Sequence, residues 1–292
     1  MMRHFDIHYT LTAPVSHIGE TASTGSYFQT INTAAGRLPV ITGNSVRGIL
    51  RDKLADNLLD TIGHPVDKET FNVLYSGGNI SGSTKNDVQR AKLVRQHFPM
   101  ISLLGGGLGT MIMSGQLVSG FVYPVCRESE QITGISSELS WHNLIDDIEF
   151  TRMDDSKDDT NIDRITDVEE EKKAKASTQM RFSVQYLSAG TELVQRLTLL
   201  DGSTELEEAA FLTGVAEWFK LPTLGGMRAK GFGTFSACVT SDEIMISVDS
   251  SGTISMSDKA KETIAMYAKH LDDDTPSEWL YLLKEGGKSG KA

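Results

Sequence analysis

An α+β fold, built on a ferredoxin-like core with large insertions, is predicted by three observations. Residues 4–11 alternate apolar and polar side chains, the mark of a half-buried strand. Two amphipathic helices, about 44–62 and 205–221, stand far apart in the chain. Further strand patterns at 116–123, 181–186, 192–199 and 234–239 fall between and after them. The order is strand, helix, strand, long insertion, hairpin, helix, strand, which suits an antiparallel sheet backed by helices. The core is expected over 1–240, with a protruding arm at about 146–180 and a C-terminal helical extension and tail over 241–292.

In the first strand Phe5, Ile7, Tyr9 and Leu11 point one way, and His4, Asp6, His8 and Thr10 the other. Pro14 and Gly19 end it. His17 is a lone histidine without a ligand set around it, so a structural hydrogen bond is its expected role. Residues 25–37 read as a polar loop without Asp, Glu, His or Lys. A short apolar run, 38–41, then turns at Thr42-Gly43 into the first helix. Asn44 or Ser45 is expected to cap it, because a short side-chain oxygen accepts a bond from an orphan N–H. Val46, Ile49, Leu50, Leu54, Leu58 and Ile62 recur at helical spacing and should face the core. Arg47 and Arg51, four residues apart, share a face near the helix N-terminus, where free N–H groups and the helix dipole favour anions. Two readings stay open: a phosphate grip, or a capped helix with two solvated arginines.

Residues 67–75 fit a short helix and 76–82 a flexible loop. Lys85, Arg90, Lys92 and Arg95 read as a solvated helical face, with a nucleic-acid contact as the rival reading. The run Gly105-Gly-Gly-Leu-Gly109 lacks the Gly-Lys-Ser/Thr ending of a nucleotide loop and the G-x-G-x-x-G spacing of a dinucleotide fold. From Arg181 a strand with Phe182, Val184 and Tyr186 on one face is expected to turn at Ala189-Gly190 and pair with 192–199. Glu205, Glu207 and Glu208 suit the positive start of the second helix, whose buried stripe is Leu212, Val215, Ala216 and Phe219. Pro222 stops it. The segment Leu224-Gly-Gly-Met-Arg-Ala-Lys-Gly-Phe-Gly233 brings a backbone close to something, with Arg228 and Lys230 at its tip, and leads into the last expected strand. Helices near 257–271 and 279–284 end the chain.

The net charge of −11 argues at first against a nucleic-acid partner. Its distribution weakens that objection: residues 146–173 hold 12 acidic and 5 basic side chains, leaving only −4 for the rest of the chain. Two cysteines exclude a disulfide framework or a cysteine-rich zinc site and point to a reducing, intracellular home. No apolar run approaches a membrane span or a signal core. No cofactor or metal is expected.

Four local sequences, in order, carry a family resemblance. Ala13-Pro-Val-Ser-His-Ile-Gly19 is similar to the opening motif of the RAMP superfamily of CRISPR-associated proteins. Leu38-Pro-Val-Ile-Thr-Gly-Asn-Ser-Val-Arg-Gly-Ile-Leu-Arg51 resembles its glycine–helix segment, and 224–235 its C-terminal glycine-rich loop and strand. Asn161-Ile-Asp-Arg-Ile-Thr166, with 185–193 after it, resembles the thumb and following hairpin of the Cas-seven-like backbone subunits. The resemblance implies an RNA-recognition-like core and a cytoplasmic ribonucleoprotein of antiviral defence. In it, copies of this chain line up head to tail along a CRISPR RNA, beside other effector subunits, and present the guide to a target DNA or RNA strand. It places Asn44, Ser45, Arg47 and Arg51 on guide phosphates. Ile162, Arg164, Ile165 and Thr166 fall in the thumb, and Arg228 and Lys230 beside the RNA path. Target-cleaving type III relatives have an aspartate in the loop before the glycine–helix segment. Residues 25–37 have no carboxylate, and Gln29 and Asn32 are not general bases near neutral pH. The resemblance therefore implies a subunit that binds without cutting, leaning to type IV, with type III next. The alternatives are a RAMP endoribonuclease using His17 or tyrosines, and a scaffold that binds no RNA.

Overall fold

The computed structural model describes residues 2–22, 25–80, 87–152, 180–274 and 276–284. The chain begins with β1 (Arg3–Leu11), followed by β2 (Ile18–Ala22), β3 (Gly25–Phe28), β4 (Thr30–Thr33) and β5 (Gly36–Pro39). Residues 25–37 are therefore not a loop. The segment, rich in Thr, Ser and Asn, holds short strands with too few apolar residues to show alternation, and β4 and β5 pair as a hairpin. Next come α1 (Gly43–Ile62), α2 (Lys68–Ser76), α3 (Val88–His97), α4 (Pro99–Leu104), β6 (Gly106–Leu108), β7 (Met111–Met113), β8 (Leu117–Pro124) and α5 (Glu130–Thr133). The second half holds β9 (Ile145–Arg152), β10 (Met180–Leu187), β11 (Glu192–Leu199), α6 (Glu205–Phe219), β12 (Phe235–Thr240), β13 (Ile244–Val248), β14 (Ile254–Met256), α7 (Asp258–Asp274) and α8 (Pro276–Trp279).

The main sheet runs β14–β13–β12–β1–β11–β8 and is antiparallel at every pair. Its central part places the fourth, first, third and second core strands side by side, the ferredoxin-like order that the sequence predicts. Phe5, Ile7, Tyr9 and Leu11 are buried, as are Leu193, Leu197 and Leu199 on β11 and Phe235 and Val239 on β12. Val46, Leu50, Leu54 and Leu58 of α1 close over this face, with Ile49 and Ile62 partly buried at its edge. Tyr9 meets Phe235 edge-on at 5.1 Å, and Phe5 meets Phe211 at 4.8 Å.

Helix α6 is capped as its sequence dictates: Thr204 and Glu207 exchange hydrogen bonds in a capping box. It is buried well beyond the predicted stripe, because α7 of the C-terminal extension lies along its other side. That extension does not begin as helix. Strands β13 and β14 first widen the main sheet, so β12 is not the last strand.

Two further expectations fail, the second in part, for physical reasons. Strand β10 does not pair with β11. It joins a second sheet, β2–β3–β10–β9, while β11 stays beside β1. Gly190 marks the parting, with a φ of +85° and its N–H bonded to Leu11 O at 2.7 Å, so the turn is pinned to the end of β1. The charges of α3 form a solvated face only in part: Lys92 is exposed as expected, Lys85 lies outside the described residues, and Arg90 and Arg95 are engaged by the protein. Arg90 is buried and donates to Leu282 O (2.9 Å), Lys284 O (2.6 Å) and Leu108 O (3.4 Å). Arg95 donates to Ser102 Oγ and Ser114 O. The C-terminal segment is strapped down by Arg90, by a 2.7 Å contact between His97 and Asp274, and by Trp279 stacked on His97 at 3.8 Å. Arg90→Ala should cost about 2–3 kcal/mol in urea denaturation, because it orphans buried carbonyls, and should expose residues 276–284 to protease first. Unchanged stability and proteolysis would show that Arg90 does not hold the C-terminal segment.

Candidate functional site

The site grows from the start of α1. Thr42 is the N-cap, not Asn44 or Ser45, and it makes no side-chain capping bond. Ser45 N–H instead bonds Thr42 O at 3.0 Å. The helix starts earlier than predicted because Gly43 slides beneath β8, where Ser119 Oγ donates to Gly43 O at 3.0 Å. Thr42 N–H donates to His17 Nε2 at 3.2 Å. Burial holds the His17 pKa below its ordinary value, in keeping with a neutral ring that accepts this bond. His17 thus has the structural role expected of it. Asn44 and Gly48 are exposed on the outer face of the helix, and Ser45 is half-buried.

Arg47 and Arg51 leave the other edge of α1 and are not freely solvated. Arg47 donates to Leu117 O at 3.2 Å and to Leu104 O. Arg51 donates to Leu104 O at 3.2 Å and Gly105 O at 2.9 Å. The carbonyls of Leu104 and Gly105 belong to the C-terminal end of α4, whose dipole favours cations. Burial, and next the charge of Arg47, bring the Arg51 pKa down to about 10. Among the described residues neither guanidinium makes an ion pair. Arg51 Nη1 is buried without any hydrogen-bond partner. Both arginines border a groove of about 440 Å³ lined by Gly77–Ile80 and Leu104–Gly107. The two glycine segments meet backbone to backbone, with Gly107 N–H on Gly77 O at 2.7 Å. A Cβ on Gly78 would overlap Gly107 O. The glycine run 105–109 is visible in the sequence, but nothing in the order of residues places it beside Arg47 and Arg51.

The loop 224–233 faces the segment 14–17. Gly226 N–H bonds Ser16 O and Gly233 N–H bonds Pro14 O, each at 2.7 Å. Gly225 (φ +74°) and Gly233 (φ +92°) take backbone angles that only glycine adopts freely, and a Cβ on either would overlap a carbonyl oxygen. Arg228 and Lys230 lie on a single exposed 3₁₀ turn at the tip. Lys230 Nζ stands 4.4 Å from the Phe150 ring centre and 4.9 Å from that of Phe182, and these two rings stack across β9 and β10. Asp52 on α1 has its pKa raised by burial and by Asp56, with Arg228 opposing them. Lys230 therefore lies against the β9–β10 ribbon, and the Arg228 charge is felt at Asp52 of α1. Ile162, Arg164, Ile165 and Thr166 lie outside the described residues, between these two strands.

Among the described residues no three His, Cys, Asp or Glu side chains converge as a metal site, and no helix is long and apolar enough to cross a membrane. What the arrangement offers is two cationic donors beside a close-packed glycine backbone, at the C-terminal ends of α2 and α4; guanidinium groups so placed can bind an anion. No protein-family model matches the sequence, and no curated protein matches it. The fold does have a counterpart. A chain of a solved structure described as "Type IV-B CRISPR Complex" superposes with a TM-score of 0.61 at 21% identity, over 81% of this chain and 90% of that one. At this identity the likeness is one of fold.

Proposed function

We propose that this chain is a non-catalytic RNA-binding backbone subunit of a CRISPR effector complex, of the type IV kind. In this reading it acts in the cytoplasm, with further copies of itself arranged head to tail along a guide RNA. Other effector subunits complete the complex, and the guide pairs with a target DNA or RNA strand. The observation that carries the reading is the Arg47–Arg51 pair: two half-buried guanidinium groups that form no ion pair among the described residues, with Asp52 acting on Arg51 only at longer range, one with an orphan Nη1, bordering a glycine-lined groove. A phosphate supplies the missing negative charge and acceptor. Arg47 and Arg51 then hold the strand without reading its sequence, and Asn44 and Ser45 lie one turn earlier on the same helix. Arg228 and Lys230 flank the path at the ribbon base, and Ile162, Arg164, Ile165 and Thr166 belong to the arm that spaces the bases. Base pairing, not the protein, reads the target. The ferredoxin-like fold shared with a chain of a type IV-B complex supports the same reading. The endoribonuclease alternative loses its best base, since His17 is half-buried and holds the Thr42 N–H.

The test is co-expression with a CRISPR array and its effector partners. A large species carrying intact guides of uniform length is expected. Asn44→Asp then separates binding from folding. A carboxylate in the first turn of α1 favours the helix dipole by about 0.3–1 kcal/mol, so thermal stability should hold or rise. The same charge repels phosphate, so guide affinity should fall about fivefold at low salt. A nucleic-acid-free monomer in the presence of the partners, or unchanged affinity in Asn44→Asp, would overturn the proposal.

A further inference from the structure

The face of the main sheet turned away from α1 and α6 carries a cavity of about 460 Å³, within the size range of small-ligand sites. Asp6 and His8 of β1, Arg196 of β11, Phe121 and Tyr123 of β8, and Ile132 of α5 border it. A β-bulge makes it. The register passes from Ser119↔Leu197 to Val122↔Gln195, so Gly120 and Phe121 together oppose Arg196. One extra residue reverses the in–out alternation of the strand. Leu117 and Val122 both stay in the core, while Phe121 is turned outward and is 38% exposed. The Phe121 and Tyr123 rings stand 6.1 Å apart at 60°, forming a corner of two aromatic faces. Beside them Arg196 grips Asp6 through Nε (2.7 Å) and Nη2 (2.8 Å). Arg196 is exposed, and its Nη1 donates to nothing among the described residues.

We propose that this cavity takes an unpaired base of a single-stranded nucleic acid, stacked on Phe121 and Tyr123 and bonded along its edge by Arg196 and Asp6. The chemistry selects that occupant. Aromatic faces next to a paired donor and acceptor match a flat heterocycle with a hydrogen-bonding rim. An aliphatic ligand would cover the same rings but desolvate the Asp6–Arg196 pair without new bonds. The pair is neutral overall, so the site takes the base and not the phosphate. It lies across the sheet from Arg47 and Arg51, and the two sites fail independently.

The experiment uses the full-length protein and a short single-stranded RNA containing 4-thiouridine, irradiated and mapped by mass spectrometry. Crosslinks within residues 117–124 are expected. Phe121→Ala should lower their yield about tenfold, in line with the loss of one stacked base. Phe121→Leu, which keeps apolar bulk without a ring face, should lose them too, so a folding defect does not explain the result. An absence of crosslinks to β8, or an unchanged yield in both variants, overturns the proposal whatever α1 does. Crosslinks at β8 with none near Arg47 and Arg51 support it and count instead against the α1 groove.

Discussion

Gly43→Ala should destabilise the protein by about 3 kcal/mol or more, the size expected when a side chain is forced into well-packed backbone. A Cβ at residue 43 would overlap Ser119 O and lie 2.8 Å from Gly120 O. Those carbonyls have nowhere to go. Strand β8 is held in its ladder by β11, and Ser119 Oγ already bonds Gly43 O. Behind it Gln195 Nε2 donates to Ser119 Oγ at 3.1 Å and to Gly120 O at 2.9 Å, while Tyr9 donates to Gln195 Oε1 at 2.8 Å. This buried chain of bonds fixes where α1 leaves the sheet, and with it the direction of Arg47 and Arg51. Gly48 lies one turn later with open space around its Cβ position. Gly48→Ala should therefore stabilise the helix by about 0.5–1 kcal/mol. Urea denaturation of both variants checks the contrast. Equal effects at the two positions would mean that α1 is free to shift on β8.

The contrast also marks what one sequence reveals. Period-two alternation in 4–11 and helical spacing from Val46 to Ile62 located β1 and α1, because burial of one face leaves its period in the residue order. The ferredoxin-like strand order followed from the order of elements. Alternation names a strand but not its partner, so the sequence suggests a hairpin of β10 with β11, whereas the turn at Gly190 sends β10 to β9 and β3. The bulge at Gly120-Phe121 has only an isolated glycine within the strand pattern as its mark, and its register depends on the neighbouring strand. Arg90 shows the same limit for charge. It looked solvated because the chain that buries it, Leu282 to Lys284, lies almost two hundred residues away. Of the candidate site, α1 and the Arg228–Lys230 turn were legible as motifs. The glycine groove was not, since Gly77, Gly78 and Gly105–Gly107 meet Arg47 and Arg51 only in three dimensions.

Replacing Arg47 and Arg51 together by glutamine should lower guide-RNA affinity by at least about tenfold at moderate salt. The same change should flatten the dependence of log affinity on log salt by about 1.4, at roughly 0.7 per phosphate contact on a single strand. The expected loss comes from an imbalance of charge. Both guanidinium groups are partly withdrawn from water and repel one another, and burial depresses the pKa of each. Their bonds to Leu104, Gly105 and Leu117 satisfy donors but neutralise no charge. Glutamine keeps an N–H donor on a shorter stem and removes the two like charges, so the stability terms oppose each other and should cancel to within about 1 kcal/mol. Binding should have no such compensation, because under the proposed function each lost cation removes a phosphate contact. Fluorescence anisotropy of the assembled complex across a salt series measures both the affinity and the slope. If neither moves, the arginines serve only to cap α4, and the guide runs elsewhere on this fold. If the affinity falls while the slope holds, the loss comes from a displaced α4 and not from phosphate, which a matching fall in thermal stability would reveal.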